Sequence, residues 1–485
     1  MSDNRQLNQA RTPLYETLTR YAQEKTAPFF VPGHKMGYGI CEEFRSFMEN
    51  SNLASVDLTL LDTVQEAAEE AQALAAEVFH ADHTLFSVHG TSGAIQTMVM
   101  GVVNPGEKII VPRNIHKSVI AGLIMSGADP VYMLPEYDAE LGITKNITVN
   151  TVNHMLQFHP DAKAVLVTSP SYNGICADVK EIAELVHSRG IPLIVDEAHG
   201  SHLQFHSGLP DSAMDCGADI SAQSTHKNLS SFTQSSMLHI KDGFVDFEKI
   251  KKIMSTFQTT SPSSLLMMSL DWARYQMNKN GFAELDRVLC ISKDAIKKIN
   301  DTGAFFCLDN EMLAGNREFV LDETKITIFN RLGMTGARLE KILVDDYNIQ
   351  VDCSDFSNVV CFITIGDMEE NVQRLISALW DISLKSGVPQ KISGKMHMLP
   401  KIPVKKLTPR EAFFSTVCFR KLKDCVGKIC GESVMLYPPG IPMISPGEII
   451  TEDIVQYMVE LKNQKMNLIG LECLDGECYI KVIRE

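Results

Sequence analysis

The 485-residue chain has no Cys-x-x-Cys pair, no internal repeat, no low-complexity segment and no apolar run of about 18 residues. Each absence narrows the field. Twelve cysteines are scattered along the chain, and the loosely spaced Cys425/Cys430 and Cys473/Cys478 have no histidines clustered near them. Buried reduced thiols are expected rather than a zinc site. The polar start Met-Ser-Asp-Asn-Arg-Gln and the missing apolar run argue against a signal peptide and a membrane span, so a reducing cytoplasm is expected. Basic residues are also short: 45 against 60 acidic ones, for a net charge of −15. Such a surface disfavours nucleic acid and anionic membrane as partners. It favours small cationic substrates only weakly, because screening is strong beyond about 8–10 Å.

What remains is ordinary globular composition, 45% hydrophobic and 22% charged, at a length that fits two or three domains. Residues 1–60 are expected to form an N-terminal arm, with a helix near 12–25 and a Pro/Gly-punctuated loop at 30–37. Val64, Ala67, Ala68, Ala71, Leu74, Ala75 and Val78 recur at helical spacing. From there short apolar strands, at 84–88, 108–111, 130–133, 163–168, 191–196 and 219–223, alternate with helices at 91–103, 116–126, 149–158 and 178–189. This alternation predicts an α/β large domain over 61–265, with a mainly parallel sheet covered on both faces. A long helix near 263–300 opens a smaller α+β domain over 266–390. A Pro/Lys-containing connector at 387–405 leads to a C-terminal α+β domain over 406–485.

Parallel sheets bind ligands at the carboxyl ends of their strands, and several chemistry-bearing segments fall at such ends. Val-Asp-Glu-Ala-His-Gly at 195–200 ends one strand in Asp196. Ser-Thr-His-Lys at 224–227 sets Lys227 just past the next. A lysine amine that can condense with an aldehyde, beside a carboxylate that can face a pyridine nitrogen, is what pyridoxal 5'-phosphate chemistry requires. A carboxylate against a pyridinium gains roughly 4 kcal/mol at an effective dielectric near 20, enough to keep the ring charged at neutral pH. Burial and a neighbouring cation would free Lys227 of its proton.

His89-Gly90-Thr91-Ser92-Gly93 joins a strand to a helix and offers hydroxyls and free N–H groups to a phosphate. The alternative is a plain N-cap; beside Lys227 and Asp196 the phosphate reading prevails. His116, at a helix start in Arg113-Asn-Ile-His-Lys-Ser, is placed to stack on a flat ring or to act only as a cap. His199 can orient Asp196 or the cofactor, and Ser224 and His226 flank the lysine. Glu197 is expected to face the other side of the strand end. Tyr437 to Glu448 holds four prolines and two glycines in a rigid loop, where Glu448 is a candidate contact for a cationic substrate.

Taken together, these segments closely resemble the Orn/Lys/Arg decarboxylase family, pyridoxal-phosphate enzymes of the aspartate aminotransferase fold (fold type I). The carrying residues are Pro32-Gly-His, Asp57-Leu-Thr, Gly90-Thr-Ser, Arg113 to Ser118, Asp196-Glu-Ala-His-Gly, Ser224-Thr-His-Lys, and Tyr437 through Glu448. The chain resembles the short bacterial form associated with biosynthetic arginine or lysine decarboxylation in polyamine metabolism. The resemblance implies that Lys227 carries the cofactor, Asp196 meets its ring nitrogen and His116 lies over the ring. It further implies that Ala198 lies beneath the ring with His199 nearby, and that Gly90, Thr91, Ser92, Ser224 and His226 hold the phosphate. The expected reaction is loss of CO2 from a basic amino acid: arginine first, then lysine, then ornithine. Another fold-type-I activity, aminotransfer or C–S lysis, is the alternative, and a non-catalytic regulator is a third class. Sites of this fold usually form between subunits, so at least a homodimer is expected.

Overall fold

A computed structural model describes residues 8–24, 62–313, 318–355, 357–386, 401–436, 441–463, 466–474 and 476–484. Pro32-Gly-His, Asp57-Leu-Thr and the stretch 437–440 lie outside them. Among the described residues, helices α1 (Pro13–Glu24) and α2 (Asp62–Val78) precede the main sheet. That sheet contains β1 (His83–Ser87), β2 (Lys108–Pro112), β3 (Asp129–Met133), β4 (Ala164–Thr168), β5 (Leu193–Asp196), β6 (Ile220–Gln223) and β7 (Ser236–Ile240). Their spatial order is β1-β7-β6-β5-β4-β2-β3. Neighbours from β6 to β3 pair parallel, while β7 runs antiparallel between β1 and β6. The sheet is therefore mainly parallel, as expected. Strand β7 was not expected: its Ser-Met-Leu-His-Ile mixes polar and apolar residues without alternation and does not stand out from the flanking serines.

The parallel strands are apolar on both faces because helices cover both. Successive side chains point to opposite sides. Ile109 and Val111 of β2, Leu166 of β4 and Ile194 of β5 therefore pack with α3 (Gly90–Val102) and α4 (Lys117–Ser126). Ile110, Val165, Val167, Leu193 and Val195 pack on the other face with α5 (Val149–Phe158) and α6 (Val179–His187). One further helix, α7 (Phe247–Phe257), joins the first face through Ile250 and Met254.

The 37-residue α8 (Ser264–Asn300) links two cores. Its first half packs against α1 and α2, where the fully buried Arg274 pairs with Asp271 and donates to the Gln9 carbonyl. Its second half covers a four-stranded sheet of β8 (Phe305–Cys307), β9 (Lys325–Asn330), β10 (Cys353–Ser354) and β11 (Asn358–Phe362), ordered β8-β9-β11-β10. The C-terminal residues form a separate core in which the helix Glu452–Asn463 packs near an antiparallel sheet of Val417–Lys421, Glu477–Ile483 and Glu472–Leu474. There the expectation of reduced thiols is corrected at one place. Cys473 and Cys478 are opposite partners across a hairpin, their Cα atoms 4.1 Å apart, and they form a disulfide. The tight turn between them brings five-residue neighbours into register, which spacing alone did not reveal. Among the described residues no helix is long and apolar enough to cross a membrane.

Candidate active site

Strand parity settles what the two adjacent acids do. Asp196 continues the Ile194 side of β5, the face of α3 and α4, and borders a cleft of about 1030 Å³ at the carboxyl ends of the strands. Glu197 turns to the other face. There it accepts from the Ala213 N–H (2.8 Å), the Ser221 hydroxyl (2.8 Å) and the Gln223 amide (2.9 Å). Asp196 receives one backbone hydrogen bond, from the Ala198 N–H at 3.2 Å, and forms no ion pair among the described residues. Burial raises its pKa to about 6, with the Ala198 N–H and the Lys227 charge pulling the other way. Burial likewise raises Glu197 to about 7.

Lys227 sits on the single turn Thr225–Asn228 directly after β6. Lys227 is exposed and borders the cleft. Desolvation by the surrounding protein lowers its pKa, opposed by Asp196 and Asp352. Its Nζ lies 3.0 Å from His199 Nε2. Both positions follow from strand order: β5 and β6 are adjacent and parallel, so their carboxyl ends open side by side.

A cluster of hydroxyls lines the start of α3. The Thr91 hydroxyl is hydrogen-bonded to those of Ser224 and, at 2.8 Å, of Ser236. Gly90 adopts φ 65°, a left-handed turn that favours glycine, and its N–H donates to Gln234 O. No side chain caps this helix, and its first turn borders the cleft at Thr91 and the exposed Ser92. His226 donates from Nδ1 to the Ser235 carbonyl at 2.6 Å, which fixes its ring at the cleft edge. His116 caps α4, accepting at Nδ1 from the Ser118 N–H. Burial and the positive charges of Lys227 and Lys117 hold it near 4, so at neutral pH it is an uncharged imidazole with its proton on Nε2. Ala198 is half-buried on the same cleft wall.

All ten residues expected to handle the cofactor border one cleft: Gly90, Thr91, Ser92, His116, Asp196, Ala198, His199, Ser224, His226 and Lys227. Glu448 does not join them. It is fully buried, and both its oxygens accept from Arg113, at 2.6 and 2.8 Å, while one also accepts from the Ser445 N–H. The expected contact with a cationic substrate is corrected: this carboxylate already holds a guanidinium, that of Arg113. The strand Ile441–Ile444 and the turn after it bring Glu448 to Arg113 at the end of β2, a tie between cores.

Sequence reasoning missed the opposite wall. Tyr172, Asp352 and Phe362 border the cleft, and Lys325 lies behind His199, its Nζ 2.8 Å from His199 Nδ1. The one available signal was Lys325 itself, a charged residue opening the apolar strand Lys-Ile-Thr-Ile-Phe. An amine, a buried carboxylate with no ion-pair partner among the described residues and a hydroxyl-lined helix N-terminus around one cleft can hold an aldehyde, a cationic heterocycle and a phosphate.

Comparisons with known proteins agree. The family model described as "Orn/Lys/Arg decarboxylase, major domain" matches residues 12–371, and that of the C-terminal domain matches 393–474. The chain is 42% identical to the arginine decarboxylase of Bacillus subtilis (strain 168) over 488 residues, covering 99% of each. It is 43% identical to the arginine decarboxylase of Bacillus anthracis over 460 residues, covering 93% of each. Among solved structures, the lysine decarboxylase of Francisella novicida superposes with a TM-score of 0.83 at 24% identity, over 98% of this chain and 81% of that one. At that identity the likeness establishes the fold.

Proposed function

The chain belongs to the Orn/Lys/Arg decarboxylase family, and from that premise we propose that it is a pyridoxal-phosphate-dependent decarboxylase that converts L-arginine to agmatine in polyamine metabolism. Lysine and ornithine rank behind arginine, since the relatives at 42–43% identity are named arginine decarboxylase. The observation that carries the cofactor is Asp196: a buried carboxylate with no ion-pair partner among the described residues, on the same cleft as the Lys227 amine. A pyridinium supplies the missing cation, so the residues fit the group.

When bound, the cofactor supplies a protonated heteroaromatic ring that accepts the electron pair left as CO2 departs. The chain's own residues do the rest. Lys227 would hold the cofactor covalently, and Asp196 would keep its ring nitrogen protonated. His116, uncharged, and Ala198 would contact the ring. Gly90, Thr91, Ser92, Ser224 and His226 would hold the phosphate near the N-terminus of α3. His199 keeps contact with the Lys227 amine.

An aminotransferase would need a free arginine for the substrate carboxylate. Among the described residues, the one arginine at the cleft is Arg113, whose guanidinium is held by Glu448 and the Met443 carbonyl. A wall with no free guanidinium suits loss of the carboxylate, because its charge disperses as the bond breaks. The division into 61–265, 266–390 and 406–485, a cytoplasmic location and at least a homodimer belong to the same reading. The tilted, partly exposed rings of Tyr15 and Trp272, their centroids 5.1 Å apart, favour self-association.

The test is CO2 release from arginine, lysine and ornithine by the holoenzyme. The highest kcat/KM is expected with arginine; a keto-acid product, or release from none of the three, overturns the reading. A monomeric holoenzyme by light scattering would remove the dimer.

A further inference from the structure

His199 lies between two lysine amines. Its Nε2 is 3.0 Å from Lys227 Nζ, and its Nδ1 is 2.8 Å from Lys325 Nζ. The imidazole is 9% exposed and Lys325 is 2% exposed. Lys325 does not border the cleft, so it meets Lys227 only through the ring. A neutral imidazole has one N–H and one lone pair. Whichever nitrogen accepts from one lysine, the other must donate, so the ring's tautomer fixes what Lys227 experiences.

The surroundings of Lys325 decide the tautomer. Its amine donates to the Ser171 carbonyl at 3.2 Å and lies 5.1 Å from the Tyr172 ring centre and 4.8 Å from that of Phe362. Aromatic faces attract the positive end of N–H bonds and disfavour a lone pair. Every direction around this nitrogen therefore calls for a donor, and His199 Nδ1 must be the acceptor. The His199 proton then sits on Nε2, aimed at Lys227 Nζ.

We propose that Lys325 is a positioning residue for Lys227: by donating to His199 Nδ1 it fixes the Nε2–H tautomer, which presents a hydrogen-bond donor to the Lys227 amine and favours its nucleophilic, unprotonated form. An ammonium has no lone pair to accept that bond, whereas a free amine does.

Other charged groups act on the same triad. Lys325 faces the carboxylates of Asp322 and Asp352, the Cys353 thiol and Lys227. Burial lowers its own pKa to about 7, with Asp322 opposing. His199 also faces His116 and His202, and burial, then Lys325 and Lys227, hold it uncharged. Removing Lys325 would thus raise the Lys227 pKa by two routes, the lost tautomer and the lost positive charge, and the test must separate them.

The measurement is the pH dependence of Lys227 reductive methylation by formaldehyde and a borohydride reductant, read by mass spectrometry on the full chain without cofactor. In Lys325→Met, labelling at neutral pH should fall roughly three- to tenfold and the profile move to higher pH. Lys325→Arg, which keeps a donor, should stay within about twofold of the parent. In a His199→Phe background, where no ring nitrogen relays the tautomer, Lys325→Met should leave only the smaller part of that fall carried by charge. An unchanged profile in Lys325→Met, or the same drop in both backgrounds, overturns the proposal; the second result would assign the effect to charge alone. If Lys325→Met fails to fold by circular dichroism, Lys325→Leu, which also lacks a donor, is read in the same way. The inference deepens the reading of Lys227 as the cofactor-binding amine. Because its readout needs no cofactor, a chain that binds no pyridoxal phosphate would sink that reading and leave this one standing.

Discussion

Two buried acids meet opposite fates in this fold. Glu448 is matched atom for atom: both oxygens hold Arg113, and the Ser445 N–H completes its shell. Asp196, equally buried, receives one weak backbone bond and faces open cleft. The first arrangement ties the C-terminal core to the main sheet. The second stores an unmet need for a cation. A buried polar group that is satisfied belongs to the frame, and one that is not marks where something else must bind.

Breaking each side of this contrast should give opposite signatures. The largest effect is expected in the cleft: Lys227→Ala should lower kcat by on the order of 10³ or more and abolish borohydride-fixed cofactor by mass spectrometry, with unfolding little changed. Next, Arg113→Met should destabilise the fold by about 3–5 kcal/mol in denaturant unfolding, because Glu448 is left charged and alone; Glu448→Gln in the same chain should recover much of it.

Asp196→Asn sharpens the comparison most. It should lower kcat roughly 10²–10³-fold, since the lost ion pair is worth up to about 4 kcal/mol. Yet it should stabilise the cofactor-free chain. A carboxyl whose pKa rises from 3.8 unfolded to about 6 folded binds its proton more tightly in the native state. Native stability therefore falls as pH climbs from about 4 through 6, by roughly 3 kcal/mol for this group alone. Unfolding midpoints measured on both chains should differ above pH 6 and converge below pH 4. An Asp196→Asn chain no more stable than its parent above pH 6 would mean that the carboxylate has a partner after all. The smallest effect lies in the C-terminal frame. Thr408→Ala removes one half of a capping box with Glu411 and should cost about 1 kcal/mol in thermal unfolding without touching kcat.

Much of the site was legible because its groups sit beside short, recognisable strand ends. Asp196 follows an apolar strand, Lys227 follows the next, and the Gly90-Thr-Ser turn announces a helix start. Glu448 misled because a carboxylate in a rigid loop looks the same whether it meets a substrate or an arginine 335 residues away. Strand β7 was overlooked because five residues of mixed polarity carry little periodic signal, though it brings the Ser236 hydroxyl to Thr91. The Cys473–Cys478 bond escaped because a hairpin register, and not spacing, makes two thiols opposite.

By itself, the sequence determined the alternation of strands and helices, the face each apolar residue takes and the amine, acid and hydroxyls available for chemistry, since period and residue type are local properties. Only the tertiary structure decided that Lys325, 126 residues from His199, stands behind it, and that Arg113 neutralises Glu448. Those pairings depend on how two sheets and a C-terminal core close on one another, and contacts over such separations leave no periodic trace in the chain.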